Sequence, residues 1–260
     1  MKIPKMTFYI NSNCNLNCKG CAHFAPLAKP WKIKLKDFKN EVNLIYNLCE
    51  PEQISILGGE PLLHDELDEI LKYARKIFTK QKISFVTNGI LLNKYFDKDL
   101  FKCIKENNIN IRFSVYPIDV NYNLIFKKLD LLKISYDTEN DFVNNKNEPW
   151  FHYHYHKKDN KVAEYCYIRD ALDSPQVYNY KVFGCATTAY ICHFNQYFNE
   201  NFPLEKDDYL DLKNCSIENF DRFINNLHEN GTSFCKNYCS YETNDKWKWG
   251  LTERNKKEWT

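Results

Sequence analysis

Apolar positions in the first 140 residues follow two alternating rhythms. Short strand-length runs recur as KMTFYIN (5–11), QISILGG (53–59), KISFVTNG (82–89), NINIRFSVYP (108–117) and KISYDT (133–138). They are rich in β-branched and aromatic residues, and most stop at Asn, Gly or Pro, as buried strands do. Between them the period lengthens. Leu35, Phe38, Val42, Ile45 and Leu48 share a helical face, which predicts a helix over 35–49. Leu67, Ile70, Leu71, Ala74, Ile77 and Phe78 predict a second helix, with Asp65 as its cap. Further helices are expected near 97–107 and 121–131. Strands alternating with helices of this length imply right-handed βαβ units and a parallel sheet. The predicted fold class is therefore α/β, with five or six units forming a full or partial TIM-type barrel over residues 1–150. Beyond about residue 140 the period is lost in NNKNEPWFHYHYHKKDNK, and cysteines return at 166, 185, 192, 215, 235 and 239. Residues 151–260 read as a last barrel unit, a small loop-rich cysteine module and a tail.

Composition narrows the function. A chain of 260 residues, 43% hydrophobic, can bury one sizeable core. A net charge of +2 gives no footprint for nucleic acid or an anionic membrane. No apolar run is long enough to span a bilayer, and the N-terminus lacks a signal-peptide pattern. A cytoplasmic protein is expected. In a reducing compartment its 11 cysteines point to metal binding or chemistry rather than disulfides.

Where those residues fall is informative. In parallel barrels the chemistry sits at the C-terminal ends of strands. CNLNCKGC (14–21) follows the first run, Gly58-Gly59-Glu60-Pro61 the second and Thr87-Asn88-Gly89 the third. Three thiolates on one loop can hold three irons of a [4Fe–4S] cluster and leave the fourth iron open. A structural zinc site usually takes four closed ligands; His23 is the neighbour that could serve as the fourth.

Cys14-x3-Cys18-x2-Cys21 after a first strand, with GGEP after a second, resembles the radical S-adenosylmethionine superfamily over roughly residues 5–140. The resemblance implies a partial (β/α)6 barrel and a [4Fe–4S] cluster on Cys14, Cys18 and Cys21. S-adenosylmethionine would chelate the open iron through its amine and carboxylate. A reductase, flavodoxin or ferredoxin would supply an electron, and cleavage would give a 5′-deoxyadenosyl radical that abstracts substrate hydrogen. Gly58, Gly59, Glu60 and Pro61 would flank the cofactor's amine, the glycines by allowing close backbone approach. Thr87, Asn88 and Ser114 would meet its ribose and adenine. A Thr-Asn-Gly stretch is by itself also an ordinary turn. Many relatives carry an aromatic residue where this chain has Gly20, which leaves adenine contacts to Phe24 or the backbone.

The later cysteines resemble the twitch module, a shortened SPASM extension. Cys166, Cys185, Cys235 and Cys239 would then hold a second, auxiliary [4Fe–4S] cluster with no open iron. The chain departs from that pattern twice. Tyr180 stands where a glycine is expected in the hairpin before Cys185, and the Cys235–Cys239 pair is one residue wider than usual. Cys192 or Cys215 could replace one ligand, and zinc suits four thiolates equally. Buried free thiols are the other reading, and it suits Cys49 and Cys103.

On the substrate side, PWFHYHYHK (149–157) alternates. On a strand His152, His154 and His156 share one face, either as a titratable substrate wall or as a solvated strand. Arg169 could bind an anionic group or assist deprotonation; alone, it is equally a surface charge. CAHFAPLA and ATTAYICHFNQYF resemble a bacterial group associated with sugar or surface-polysaccharide biosynthesis. Peptide-modifying relatives often place a peptide-binding domain before the barrel, and the first strand here begins near residue 6. A small carbohydrate-like substrate that is oxidised is expected. Peptide modification is the rival, and a non-catalytic iron–sulfur or zinc protein on the same fold is the third possibility.

Overall fold

A computed structural model describes residues 1–96, 99–141, 152–155, 166, 174–242 and 248–260. Strands β1 (Lys2–Tyr9), β2 (Glu50–Leu57), β3 (Lys82–Thr87), β4 (Asn110–Val115) and β5 (Tyr136–Asp141) alternate with helices α1 (Leu35–Leu48), α2 (Leu67–Ile77), α3 (Asp99–Glu106) and α4 (Tyr122–Leu132). The five strands are parallel neighbours in sequence order. This is the mixed α/β, barrel-type architecture that the two rhythms predict. One face of the sheet carries Phe8, Ile56, Phe85 and Ile111, which are fully buried with Phe38, Val42, Ile70 and Ile125 of the helices. Asp65 does not cap α2. Glu66 holds the cap position without a side-chain bond, and Asp65 pairs with Lys32 at 2.7 Å.

The sheet also grows from the other edge of β1. Strand β7 (Gln176–Tyr178) runs parallel to β1, and β8 (Lys181–Phe183) and β9 (Tyr209–Asp211) extend it antiparallel, giving eight strands in the order β5-β4-β3-β2-β1-β7-β8-β9. Helices α5 (Ala186–Phe198), α6 (Ile217–Asn230) and α7 (Ser233–Asn237) follow. The HYHY stretch is a strand, β6 (His152–Tyr155), as its alternation predicts. It pairs antiparallel with β10 (Cys239–Glu242) in a separate ribbon rather than beside β5. The side chains of His152 and His154, and all of His156 and Arg169, lie outside the described residues. Among the described residues no helix is long and apolar enough to cross a membrane.

The β7–β8 turn explains the missing glycine. Asn179 (φ 53°) and Tyr180 (φ 60°) are both left-handed, the conformation of a tight hairpin turn that usually selects Gly. Contacts from α1 hold Tyr180 there. Its N–H donates to Glu41 Oε1 at 2.7 Å and its hydroxyl to Asp37 Oδ1 at 2.8 Å, while Lys213 Nζ lies 4.2 Å from its ring centroid. A bulky residue in this region costs about 1–3 kcal/mol, and these contacts offset that cost while docking the hairpin on α1.

Glu41 supplies a pH test. It is 1% exposed and its Oε2 has no hydrogen-bond partner, so burial pushes its carboxyl up to about 7. The folded-state value is raised, so the stability contribution is complete below the usual value of 4.5 and is lost as pH rises through about 7. Glu41→Gln keeps an acceptor for Tyr180 and removes the charge. Relative to this variant, the wild type is expected to lose on the order of 3 kcal/mol between pH 4.5 and 8. Urea midpoints at both pH values measure it; an unchanged difference between the two proteins would refute the assignment.

Candidate metal and cofactor site

The loop after β1 is built against the turn after β2. Gly59 N–H donates to Asn11 O and Glu60 N–H to Asn13 O, each at 2.7 Å, and Asn11 Nδ2 donates to Glu60 O at 2.9 Å. A Cβ on Gly58 would stand 1.9 Å from Asn11 Oδ1, and one on Gly59 2.3 Å from Asn13 O. The missing side chains thus make room for the cysteine loop itself. Both glycines also border the cavity that the three cysteines share.

Glu60 is fully buried. Oε1 accepts from the Thr87 hydroxyl at 2.8 Å and Leu62 N–H at 3.1 Å, and Oε2 accepts from Asn88 N–H at 2.9 Å. Burial pushes its carboxyl up to about 7 against those three donors. The side chain therefore ties the second turn to the third, and Pro61 opens a short 3-10 turn on the core side. Asn88 continues the chain of contacts: its Nδ2 donates to Asn15 Oδ1 at 2.8 Å and lies 3.9 Å from Cys14 Sγ. Glu60 and Pro61 do not border the cavity that the other candidates share.

That cavity, about 240 Å³, is lined by Cys14, Cys18, Cys21, Gly58, Gly59, Thr87, Asn88 and Ser114. The structure so brings together seven strand-end residues chosen from sequence plus Ser114 of β4. A further polar wall was missed: Lys5, Thr7, Ser55, Glu139, Ser174 and Gln176. The Thr7 and Ser174 hydroxyls are 2.5 Å apart, Gln176 Nε2 donates to Ser174 O at 2.7 Å, and Tyr190 donates to Gln176 Oε1 at 3.1 Å. The signal was present in the strands as polar residues at alternate positions: Lys5 and Thr7, Ser55, Ser84, then Asn110, Arg112 and Ser114.

The three thiols suit a metal cluster. Burial pushes Cys14 up to about 12, opposed by the N–H groups of Leu16 (3.4 Å from Sγ) and Asn15. Burial also raises Cys18 and Cys21, and the N–H groups of Ala25, His23 and Phe24 oppose it at Cys21. A bound cation reverses such a shift, because a coordinating thiol is deprotonated outright, and amide N–H groups aimed at sulfur favour the thiolate. Among the described residues no three His, Cys, Asp or Glu side chains close on a single ion. Phe24 is fully buried against Phe194 and Trp259 and is not among the residues that line the cavity. Tyr116 and Ala22 border the cavity beside Gly20. His23 also borders it, stacked on Tyr190 and Tyr9 at 5.3 and 5.9 Å, and burial lowers it to about 4, so it is neutral.

The C-terminal segment covers this loop. Lys19 N–H donates to Gly250 O at 2.8 Å, Thr252 N–H to Asn17 O at 2.9 Å, and Trp259 Nε1 to Cys21 O at 3.2 Å.

In the second group, burial pushes Cys185 up to about 12, with Cys235 and Cys166 adding charge repulsion. Cys239 packs on the same apolar cluster as Cys166 and Cys185. Thr188 Oγ1 lies 3.3 Å from Cys185 Sγ, and the Thr232 hydroxyl donates to Cys235 Sγ at 3.5 Å. Cys215 is elsewhere: its thiol donates to Ser216 O at 3.1 Å and it stands near Cys49. Cys192 is exposed on α5.

Comparison with known proteins agrees with this geometry. The profile of the family described as the Radical SAM superfamily matches residues 8–139. A GTP 3′,8-cyclase of Aquifex aeolicus is 27% identical over 129 residues, 47% of this chain and 38% of that protein. The antilisterial bacteriocin subtilosin biosynthesis protein AlbA of Bacillus subtilis is 30% identical over 107 residues, 40% of this chain and 22% of AlbA. The matched segment thus spans well under half of either relative. In fold, the chain is similar to BtrN, solved in complex with AdoMet and 2-DOIA, at a TM-score of 0.55 and 18% identity, covering 94% of this chain and 97% of BtrN.

Proposed function

Because the chain belongs to the radical SAM superfamily, we propose that it cleaves S-adenosylmethionine reductively and uses the resulting radical to oxidise a small, hydroxylated, carbohydrate-like substrate. Cys14, Cys18 and Cys21 would hold a [4Fe–4S] cluster, and the remaining open iron would bind the cofactor. When bound, that pair supplies a 5′-deoxyadenosyl radical able to abstract hydrogen. The chain's own part is binding, orientation and exclusion of water. Gly58 and Gly59 seat the cysteine loop. Glu60 links Thr87 and Asn88 to that loop, and so positions the wall where Thr87, Asn88 and Ser114 meet the cofactor.

One observation carries the substrate class. Barrel interiors are usually filled by Val, Ile and Leu, whereas here Lys5, Thr7, Ser55, Glu139, Ser174 and Gln176 are among the residues that line the cavity with the cysteines. Hydroxyl, amide, amine and carboxylate groups suit a ligand that offers several hydroxyls. Residues 1–150 would carry the radical chemistry. Residues 151–260 would complete the substrate wall and, through Cys166, Cys185, Cys235 and Cys239, hold the auxiliary cluster.

The test is anaerobic reconstitution and reduction, with 5′-deoxyadenosine measured against panels of sugars, aminocyclitols and peptides. A sugar-type compound is expected to raise the yield and to return lacking two hydrogens. Stimulation by peptides alone would overturn the substrate class in favour of peptide modification. Iron near eight per chain, from two four-iron sites, is expected; about four, with zinc present, would remove the auxiliary cluster.

A further inference from the structure

Trp249 brings a hydrogen-bond donor to the three-cysteine loop from the far end of the chain. Residues 250–252 run against 17–19 through the two backbone bonds already described, and an isolated antiparallel bridge pairs Cys18 with Leu251. This fixes Trp249 with its ring centroid 5.4 Å from that of Tyr116, which borders the cavity. The indole Nε1 is buried and has no formed hydrogen bond. The acceptor it faces is the sulfur of Cys18, which the Tyr116 hydroxyl faces too. A buried N–H without a partner is uncommon in a folded protein. A thiol accepts hydrogen bonds weakly, and a metal-bound thiolate accepts them well. The donor is therefore placed for a sulfur that carries charge.

We propose that Trp249 is a positioning residue of the cluster site: its indole N–H hydrogen-bonds the Cys18 sulfur in the metal-loaded protein and raises the reduction potential of the cluster, with the Tyr116 hydroxyl acting in the same sense. Reduction adds negative charge that spreads onto the sulfurs, so a donor aimed at one of them favours the reduced state. The bridge at Cys18 also shields that side of the loop from water. This inference rests on the reading that Cys14, Cys18 and Cys21 hold the cluster.

The experiment is a mediated redox titration of the reconstituted full chain. Electron paramagnetic resonance follows the signal that S-adenosylmethionine perturbs. Trp249→Phe keeps a ring against Tyr116 and removes the N–H. At the wild-type midpoint potential, its oxidised-to-reduced ratio is expected to move from one to about ten, a fall of 59 mV for a one-electron couple. Tyr116→Phe should shift the midpoint in the same direction, and it serves if Trp249→Phe folds poorly. Midpoints equal to wild type in both variants, with the signal present, would overturn this inference and leave the cluster reading intact. A signal perturbed by S-adenosylmethionine that survives replacement of Cys14, Cys18 and Cys21 together by Ala would overturn both.

Discussion

Replacing Cys14, Cys18 or Cys21 singly by Ala is expected to reduce 5′-deoxyadenosine formation to background. A cluster held by only three protein thiolates has no spare ligand, because its fourth position is where the cofactor binds. The three sulfurs border one cavity, and amide N–H groups face at least two of them. Iron is expected to fall by about four per chain while the auxiliary site keeps its share. The metal-free variants should melt as the metal-free wild type does, within about 1 kcal/mol, since each change removes one sulfur from a loop rather than packing from the main core. Chromatography of the cleavage products, iron analysis and melting separate these effects. Full activity in any single variant would sink the ligand assignment.

The second large effect is expected from Gly59→Ala. An added Cβ would meet Asn13 O at 2.3 Å, Asn13 C at 2.5 Å and Ser12 O at 2.7 Å. All three are backbone atoms of the stretch that leads into Cys14, so no side-chain rotation relieves the clash. Strain of this kind costs about 1–3 kcal/mol. The relief available is to push the 12–14 backbone away, which breaks the 2.7 Å bonds from Gly59 N–H and Glu60 N–H. A lower urea midpoint should accompany loss of cluster iron. Gly250→Ala is the control: it meets nothing within 4 Å and should leave both unchanged. Normal iron content in Gly59→Ala would show that the cysteine loop tolerates displacement.

The repeating core was legible because its signal is local. Phe38, Val42 and Ile45 point one way at a fixed period, and the sheet they cover is fully buried. The strand ends were legible because chemistry in parallel folds collects there. The use of each residue at those ends was harder to read. Glu60 looks available in GGEP, but its oxygens are taken by Thr87 and Asn88, more than 25 residues on. Asp65 has the right chemistry to cap α2, and Lys32 claims it instead. Strands β7, β8 and β9 have three residues each, too few to display a period. Position 180 was marked from sequence as needing glycine, and the structure agrees about the backbone while supplying a tyrosine held by α1. Trp249 and Trp259 left only a faint trace, aromatic residues in an otherwise charged tail, and nothing in that stretch names the loop some 230 positions earlier that they cover.

The seal between residues 17–19 and 250–252 has a consequence in time. A ribosome makes Cys14, Cys18 and Cys21 more than 200 residues before the segment that closes over them. During synthesis the βα units can assemble one after another while the thiol loop stays open on one side. Once Gly250 and Thr252 emerge, the loop gains its cover, and Trp259 fastens it at Cys21. A metal delivered before that moment would meet an accessible loop; one delivered afterwards would have to pass through the cavity or wait for residues 250–252 to lift. Access to the thiol loop and the emergence of residues 250–252 are thus coupled by a few backbone hydrogen bonds.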